Sequence, residues 1–206
     1  MKLVVLGATG GIGLELVKQA IARGHSVTTF VRSPEPLESF RDRISIVPGD
    51  LLNSAQLGQV LKGHDAVLSS FGPRDPRANG NLLESFASAL TEAMQHTSTR
   101  RVIVVSVAFL FKDVIIPPAY LVGRLLFGHH VADATAMEKI LMKSGLDWTI
   151  VRPPQLTDKP RTGTYRVREG HLPRFGFKIS RADVADYMIK TVENHASVGK
   201  IIGVSN

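Results

Sequence analysis

The sequence predicts an α/β fold, doubly wound around a mostly parallel central sheet. Two observations predict it. Apolar, β-rich runs alternate with amphipathic segments along the whole chain, a pattern that calls for a parallel sheet covered on both faces. The first run leads straight into GATGGIG (residues 7–13), a glycine-spaced turn of the kind that joins a buried strand to a helix. The turn favours a single Rossmann domain over residues 1–206, with a small C-terminal region on the substrate side. On alternation alone, a flavodoxin-like sheet competes.

KLVVLG (2–7) reads as the first buried strand. Leu14, Val17 and Ile21 then recur at helical spacing, and Gly24 supplies the stop. SVTTFVR (26–32) and ISIVPGD (44–50) are the second and third strands. A helix follows with Leu57, Val60 and Leu61 on one face, ended near Gly63, and DAVLSS (65–70) is the fourth strand. The prolines and glycines of FGPRDPRANG (71–80) make a loop. From Asn81 a long helix turns Leu82, Leu83, Phe86, Leu90 and Met94 inward. RVIVVSV (101–107) and DWTIVR (147–152) are the fifth and sixth strands, with Trp148 expected in the core. Between them lie an irregular stretch around Pro117 and Pro118 and a helix through Met137, Ile140 and Leu141, closed at Gly145. Glu138 and Lys139 read as ordinary helix surface. GTYRVR (163–168) is a short strand, and KIIGVSN (200–206) adds a terminal one. SRAD (180–183) opens the last helix as a capping box with Asp in place of Glu.

Hydrophobic residues make up 44% of the chain and charged residues 21%, an ordinary globular balance. Cysteine is absent, which excludes disulfides, thiolate metal sites and a cysteine nucleophile. The N-terminal apolar run is too short for a signal peptide, and no run of about 18 apolar residues is present to span a membrane. A cytoplasmic protein is expected. The net charge is +7 and the pI about 9.9, but the basic residues are scattered and form no stripe with interleaved aromatics. That argues against nucleic acid and for a cleft that welcomes anionic ligands. The expected partner is a small molecule, with no nucleic acid and no membrane, for a monomer or small homo-oligomer.

The glycine turn carries the first piece of chemistry. Gly7, Gly10 and Gly13, with Gly11 as an extra, permit a tight turn, close approach to a pyrophosphate and close helix–strand packing. The helix that follows offers free N–H groups to the anion. Dinucleotide binding is therefore expected. At the end of the second strand, where NAD sites commonly place an acid, the chain reads FVRSPE. Arg32 can bind a 2′-phosphate bidentately, so NADP(H) is preferred. Glu35 lies close enough to keep NAD(H) possible, and a merely solvated Arg32 is the plain alternative. In GDL (49–51), Asp50 and Leu51 either meet the adenine or begin a helix cap. His129, His130 and Asp133 suggest a metal only superficially, since adjacent histidines diverge on a helix; a solvated loop and no metal are expected. Ser106 lacks a nucleophile-elbow context. Tyr120 is followed four residues later by Arg124, where the common tyrosine–lysine reductase pair has a lysine. Arginine does not substitute for it, so packing explains the two better.

GATGGIG, FVRSPE, GDLLN, SVAFLF, MEKILMKSGLDWTIVRPPQLTD, TGTYRV and ISRADVADYM together resemble the atypical short-chain dehydrogenase/reductases. The likeness is greatest to the biliverdin-IXβ reductase (flavin reductase) group and its NAD(P)H-binding and NmrA-like relatives, and it runs over nearly the whole chain. The resemblance implies NADPH-dependent hydride transfer to a flavin (FMN or riboflavin), a quinone or a tetrapyrrole, without a tyrosine–lysine pair. It implies cofactor positions at Gly7, Thr9, Gly10, Gly11, Ile12, Gly13, Arg32, Asp50, Leu51, Phe71, Arg74, Pro153 and Pro154. Arg74 also closes over the substrate, whose pocket takes in Ser106, Val107, Phe109 and Gln155; no catalytic residue is assigned. Val107 and Gln155 stand where the family has a serine and a histidine, which disfavours biliverdin more than flavin or quinone. A non-catalytic NADP(H) redox sensor acting through a protein partner is the alternative, and an NAD-dependent epimerase or dehydratase a more distant one.

Overall fold

The computed structural model describes residues 1–73, 75, 80–111 and 117–206, with the backbone alone for 117–126. Its elements run β1 (Lys2–Leu6), α1 (Gly11–Ala22), β2 (Ser26–Val31), β3 (Ser45–Pro48), α2 (Ser54–Leu61), β4 (Ala66–Ser69), α3 (Leu82–Gln95) and β5 (Arg101–Val105). They continue with α4 (Pro117–Lys143), β6 (Asp147–Arg152), β7 (Gln155–Thr157), β8 (Arg166–Glu169), β9 (Lys178–Ser180), α5 (Arg181–Glu193) and β10 (Lys200–Ser205).

The central sheet has eight strands in the order β3-β2-β1-β4-β5-β6-β10-β8. All of its pairings are parallel except β10 with β8. The order reverses between β1 and β4, which opens a crevice beyond their carboxyl ends. β1 is buried on both faces, and alternate residues feed opposite cores. Leu3 and Val5 pack with α1 and α5, while Val4 and Leu6 pack with α2, α3 and α4. The Rossmann architecture expected from the alternation is therefore present, and the flavodoxin-like order is not.

Four expectations need correcting. Pro117 and Pro118 begin α4 rather than an irregular stretch, because proline's fixed φ and missing N–H are tolerated in a first helical turn. The helix instead kinks at Phe127 (φ −124°, ψ 16°). His129, His130 and Asp133 accordingly lie on this helix and not in a solvated loop. Trp148 is only partly buried against the second core. The SRAD capping box is half formed: Ser180 Oγ accepts from the Asp183 N–H at 2.9 Å, but the Ser180 N–H goes to Asn206 Oδ1 at 3.0 Å. Aspartate is one methylene shorter than the glutamate of a full box. Among the described residues no helix is long and apolar enough to cross a membrane.

Candidate cofactor and acceptor site

A cleft of about 600 Å³ lies at the strand-order reversal, lined by Gly7, Thr9 and Gly10, by Arg32 and Ser33, and by Leu51 and Phe71 among others. Each glycine of the turn has its own geometric reason. Gly7 is left-handed (φ +74°), and a Cβ there would stand 2.7 Å from the Phe71 backbone nitrogen. A Cβ on Gly13 would stand 2.1 Å from Gly7 O, so only glycine lets α1 settle on the turn. Gly10 N–H donates to Gly7 O at 3.0 Å and closes the loop. The nearest atom to a Cβ on Gly10 is 3.4 Å away, which leaves this glycine open for a ligand to approach.

The N-terminus of α1 has no side-chain cap and no acidic residue in its first turn. Its first N–H groups therefore keep their positive field for an anion. Arg32 and Ser33 flank the far side of the same cleft. These features fit a dinucleotide phosphate chain with a further phosphate near Arg32. Glu35, which kept NAD(H) open, starts a short 3₁₀ helix (Glu35–Phe40) and does not line the cleft.

Ile12 and Gly13 are buried within the first turn, and Gly11 faces the other way. A Cβ on Gly11 would lie 2.5 Å from Arg181 Cδ, and Arg181 is held there by Asp158 at 2.6 Å. Nothing in the local sequence signals that contact, which joins residues 11 and 181. Asp50 Oδ1 accepts from the Leu52 N–H at 3.1 Å, and Asn53 caps α2 by accepting from the Gln56 N–H at 3.0 Å. Leu51 lines the cleft while Asp50 shapes the turn beside it.

The residues expected to line an acceptor pocket lie at the same carboxyl edge, beyond β5 and β6. Ser106 N–H donates to Val151 O at 2.8 Å and so ties the ends of these strands together. Its hydroxyl is buried and has no hydrogen-bond partner among the described residues, a costly state that a bound polar group would relieve. Phe109 is exposed, with its ring 6.1 Å from that of Phe127. Pro153 is buried, Pro154 half-buried and Gln155 exposed. Val107 is half-buried against the core. Arg74 lies outside the described residues, as do the side chains of Tyr120 and Arg124.

Two buried carboxylates under this edge were not legible as such. Glu138, expected at the surface, is only 2% exposed. It accepts from Arg152 Nε at 2.9 Å and again from the other arm of the guanidinium, which also lies over the Phe111 ring. Lys139 is exposed as expected. Asp133 accepts from the Leu83 and Glu84 N–H groups, both at 2.9 Å, and so caps α3 from across the helix pair. Burial pushes the His130 pKa down, against the opposing pull of Asp133. Among the described residues no cluster of histidine, aspartate and glutamate could hold a metal ion.

The sequence pattern of a family described as NAD(P)H-binding matches residues 7–195. The chain belongs to that NAD(P)H-binding family. Its relatives include an uncharacterized chloroplastic protein of Arabidopsis thaliana, 30% identical over 98% of this chain and 76% of the relative. Another is the uncharacterized sugar epimerase YhfK of Bacillus subtilis, 32% identical over 95% of this chain and 92% of the relative. Among solved structures, a Streptococcus pneumoniae protein provisionally described as an NADH-flavin reductase superposes with a TM-score of 0.78 at 27% identity, covering 100% of this chain and 99% of that one. The family is of the oxidoreductase type, as the atypical short-chain resemblance implied.

Proposed function

We propose that the protein is an NADPH-dependent reductase of flavins or similar flat conjugated acceptors. Bound NADPH supplies the hydride, and the acceptor takes its balancing proton from water, so no dedicated acid need be encoded. The chain's own contribution is positioning. The glycine turn and the uncapped end of α1 hold the phosphate chain. Arg32 and Ser33 hold the 2′-phosphate, and Leu51 and Phe71 pack along the cleft. The observation that carries the acceptor side is Phe109, a large ring left 37% exposed just past β5. A flat conjugated ring is the ligand that such a surface binds well.

The test is NADPH consumption with FMN, riboflavin, a simple quinone and biliverdin as acceptors, and NADH in parallel. Acceptor-dependent oxidation with flavin or quinone supports the reading. Tight NADPH binding with no turnover on any acceptor would transfer the assignment to a redox sensor. Arg32→Ala is expected to raise KM for NADPH by roughly tenfold to a hundredfold, the range of a lost charge-assisted hydrogen bond, and to leave KM for NADH nearly unchanged. An undiminished NADPH preference in that variant places the 2′-phosphate elsewhere.

A further inference from the structure

The loop before β9 reads RFGFK, two phenylalanines set between two cations at residues 174–178. Phe175 is 84% exposed and Phe177 65%, the two most exposed large hydrophobics among the described residues. Buried apolar surface does not explain them. Arg174 and Lys178 are exposed as well, and among the described residues no carboxylate pairs with either.

The loop sits where an acceptor would arrive. β7 and β9 pair in parallel with Gln155 opposite Lys178, and the Gln155 N–H donates to Phe177 O at 3.2 Å. Phe177 therefore lies beside Pro154, past the carboxyl end of β6. The other side of the loop abuts the carboxyl end of β10, where a Cβ on Gly176 would stand 2.2 Å from Ser205 Oγ. β6 and β10 are parallel neighbours, so the loop shares the edge that carries the cofactor cleft.

The backbone supplies an independent sign. Gly176 N–H donates to Pro173 O at 3.0 Å, closing a tight turn. Phe175 holds the left-handed position of that turn (φ +58°), which a residue with a Cβ occupies at a cost and glycine occupies freely. A bulky ring kept at a glycine position, and kept in water, is a stability cost with no packing return. Strain of this kind concentrates where ligands are held.

We propose that residues 174–178 form the acceptor subsite: Phe175 and Phe177 stack on the flat ring, and Arg174 and Lys178 bind an anionic group that the ring carries. The proposal rests on the reductase reading and narrows its substrate class to flat acceptors bearing a phosphate or carboxylate, with FMN favoured over riboflavin. Phe177→Ser is expected to raise KM for both flavins about tenfold while KM for NADPH holds. The Arg174→Ala, Lys178→Ala double variant is expected to raise KM for FMN about tenfold and to leave riboflavin unchanged, with the wild-type preference fading in high salt. Phe175→Gly is expected to weaken flavin binding while raising Tm by a few degrees, an outcome that a packing role for Phe175 does not produce.

All four chains are also tested for equilibrium FMN binding, read by flavin fluorescence with NADP⁺ present. A wild type that binds FMN through these residues but reduces nothing keeps the subsite and sinks the reductase reading. Reduction of flavin with KM and binding untouched in every variant overturns the subsite. A wild-type dimer that the phenylalanine variants dissolve, with flavin kinetics unaltered, also overturns it and makes the patch a contact between copies.

Discussion

Glu138→Ala is expected to destabilise the protein by about 3–5 kcal/mol, the usual consequence of removing one partner from a buried ion pair. The pair joins α4 to the last residue of β6, immediately before Pro153 and Pro154. Arg152 is 9% exposed and Glu138 2%, so neither charge has water to fall back on. With the carboxylate gone, the contact left to the guanidinium among the described residues is the face of Phe111, at 4.7 Å from the ring centroid. A cation–π contact recovers about 2 kcal/mol at best. The double replacement Glu138→Leu, Arg152→Met is expected to behave differently. It removes both desolvation costs at similar volume and should unfold within about 1 kcal/mol of the wild type, or later. Urea unfolding of the three chains checks both statements. A single variant that loses less than about 1 kcal/mol would mean that water reaches the guanidinium. Because the pair fixes the segment that leads into the proline pair, the single variant should also lower turnover at saturating NADPH. The rescued double variant separates that loss from instability.

The sequence made some of these features plain and hid others for physical reasons. Gly7 and Gly13 were legible because the backbone alone dictates them: a left-handed turn and a helix seated on a carbonyl leave no room for a Cβ, and Gly10 was legible from its spacing between them. β1 and β5 were legible because strands buried on both faces read as unbroken apolar runs. Glu138 and Asp133 were not, since a buried carboxylate on a helix looks like a surface one until its partner is known. Their partners lie on β6 and at the start of α3, at distances along the chain that periodicity does not register. β7 and β9 have three residues each, too few for alternation to mark a strand. Their pairing nevertheless decides where RFGFK lies, and with it the proposed acceptor subsite. In that loop the aromatic–basic alternation is too short to stand out from basic residues scattered along the chain. Nor could the sequence show that both rings remain in water and that Phe175 stands in a left-handed turn.

Asp183→Asn is expected to cost about 3 kcal/mol at neutral pH, the scale of one or two hydrogen bonds to a buried charge. Its carboxylate is fully buried and gathers three stretches of chain. Oδ1 accepts from the Thr162 and Gly163 N–H groups at 2.8 and 2.9 Å. Oδ2 accepts from the Thr162 and Ser180 hydroxyls, both at 2.9 Å, and from Asn206 Nδ2 at 3.0 Å. An amide in its place must turn an NH₂ group toward donors on one side or the other. Burial pushes this carboxyl's pKa up, but the donors from Asn206, Gly163, Ser180 and Thr162 outweigh it and hold the group below the ordinary aspartate value. Asp186 repeats the pattern. Burial raises its pKa, and Lys190, Tyr165 and Arg161 more than reverse the effect. A carboxyl whose folded pKa is depressed stabilises the fold fully above its unfolded pKa of about 3.9. That stability is lost as pH falls through the folded pKa. Wild type should therefore weaken steeply below about pH 4, and the gap between wild type and Asp183→Asn should close over the same interval. Asp186, whose folded pKa is also depressed, contributes to the residual acid sensitivity of the variant. Urea midpoints at neutral pH, about pH 5 and about pH 3 read the effect directly. A gap that stays constant across them would mean that Asp183 acts through shape alone, with its charge contributing nothing to the link between the 162–164 loop, α5 and the end of β10.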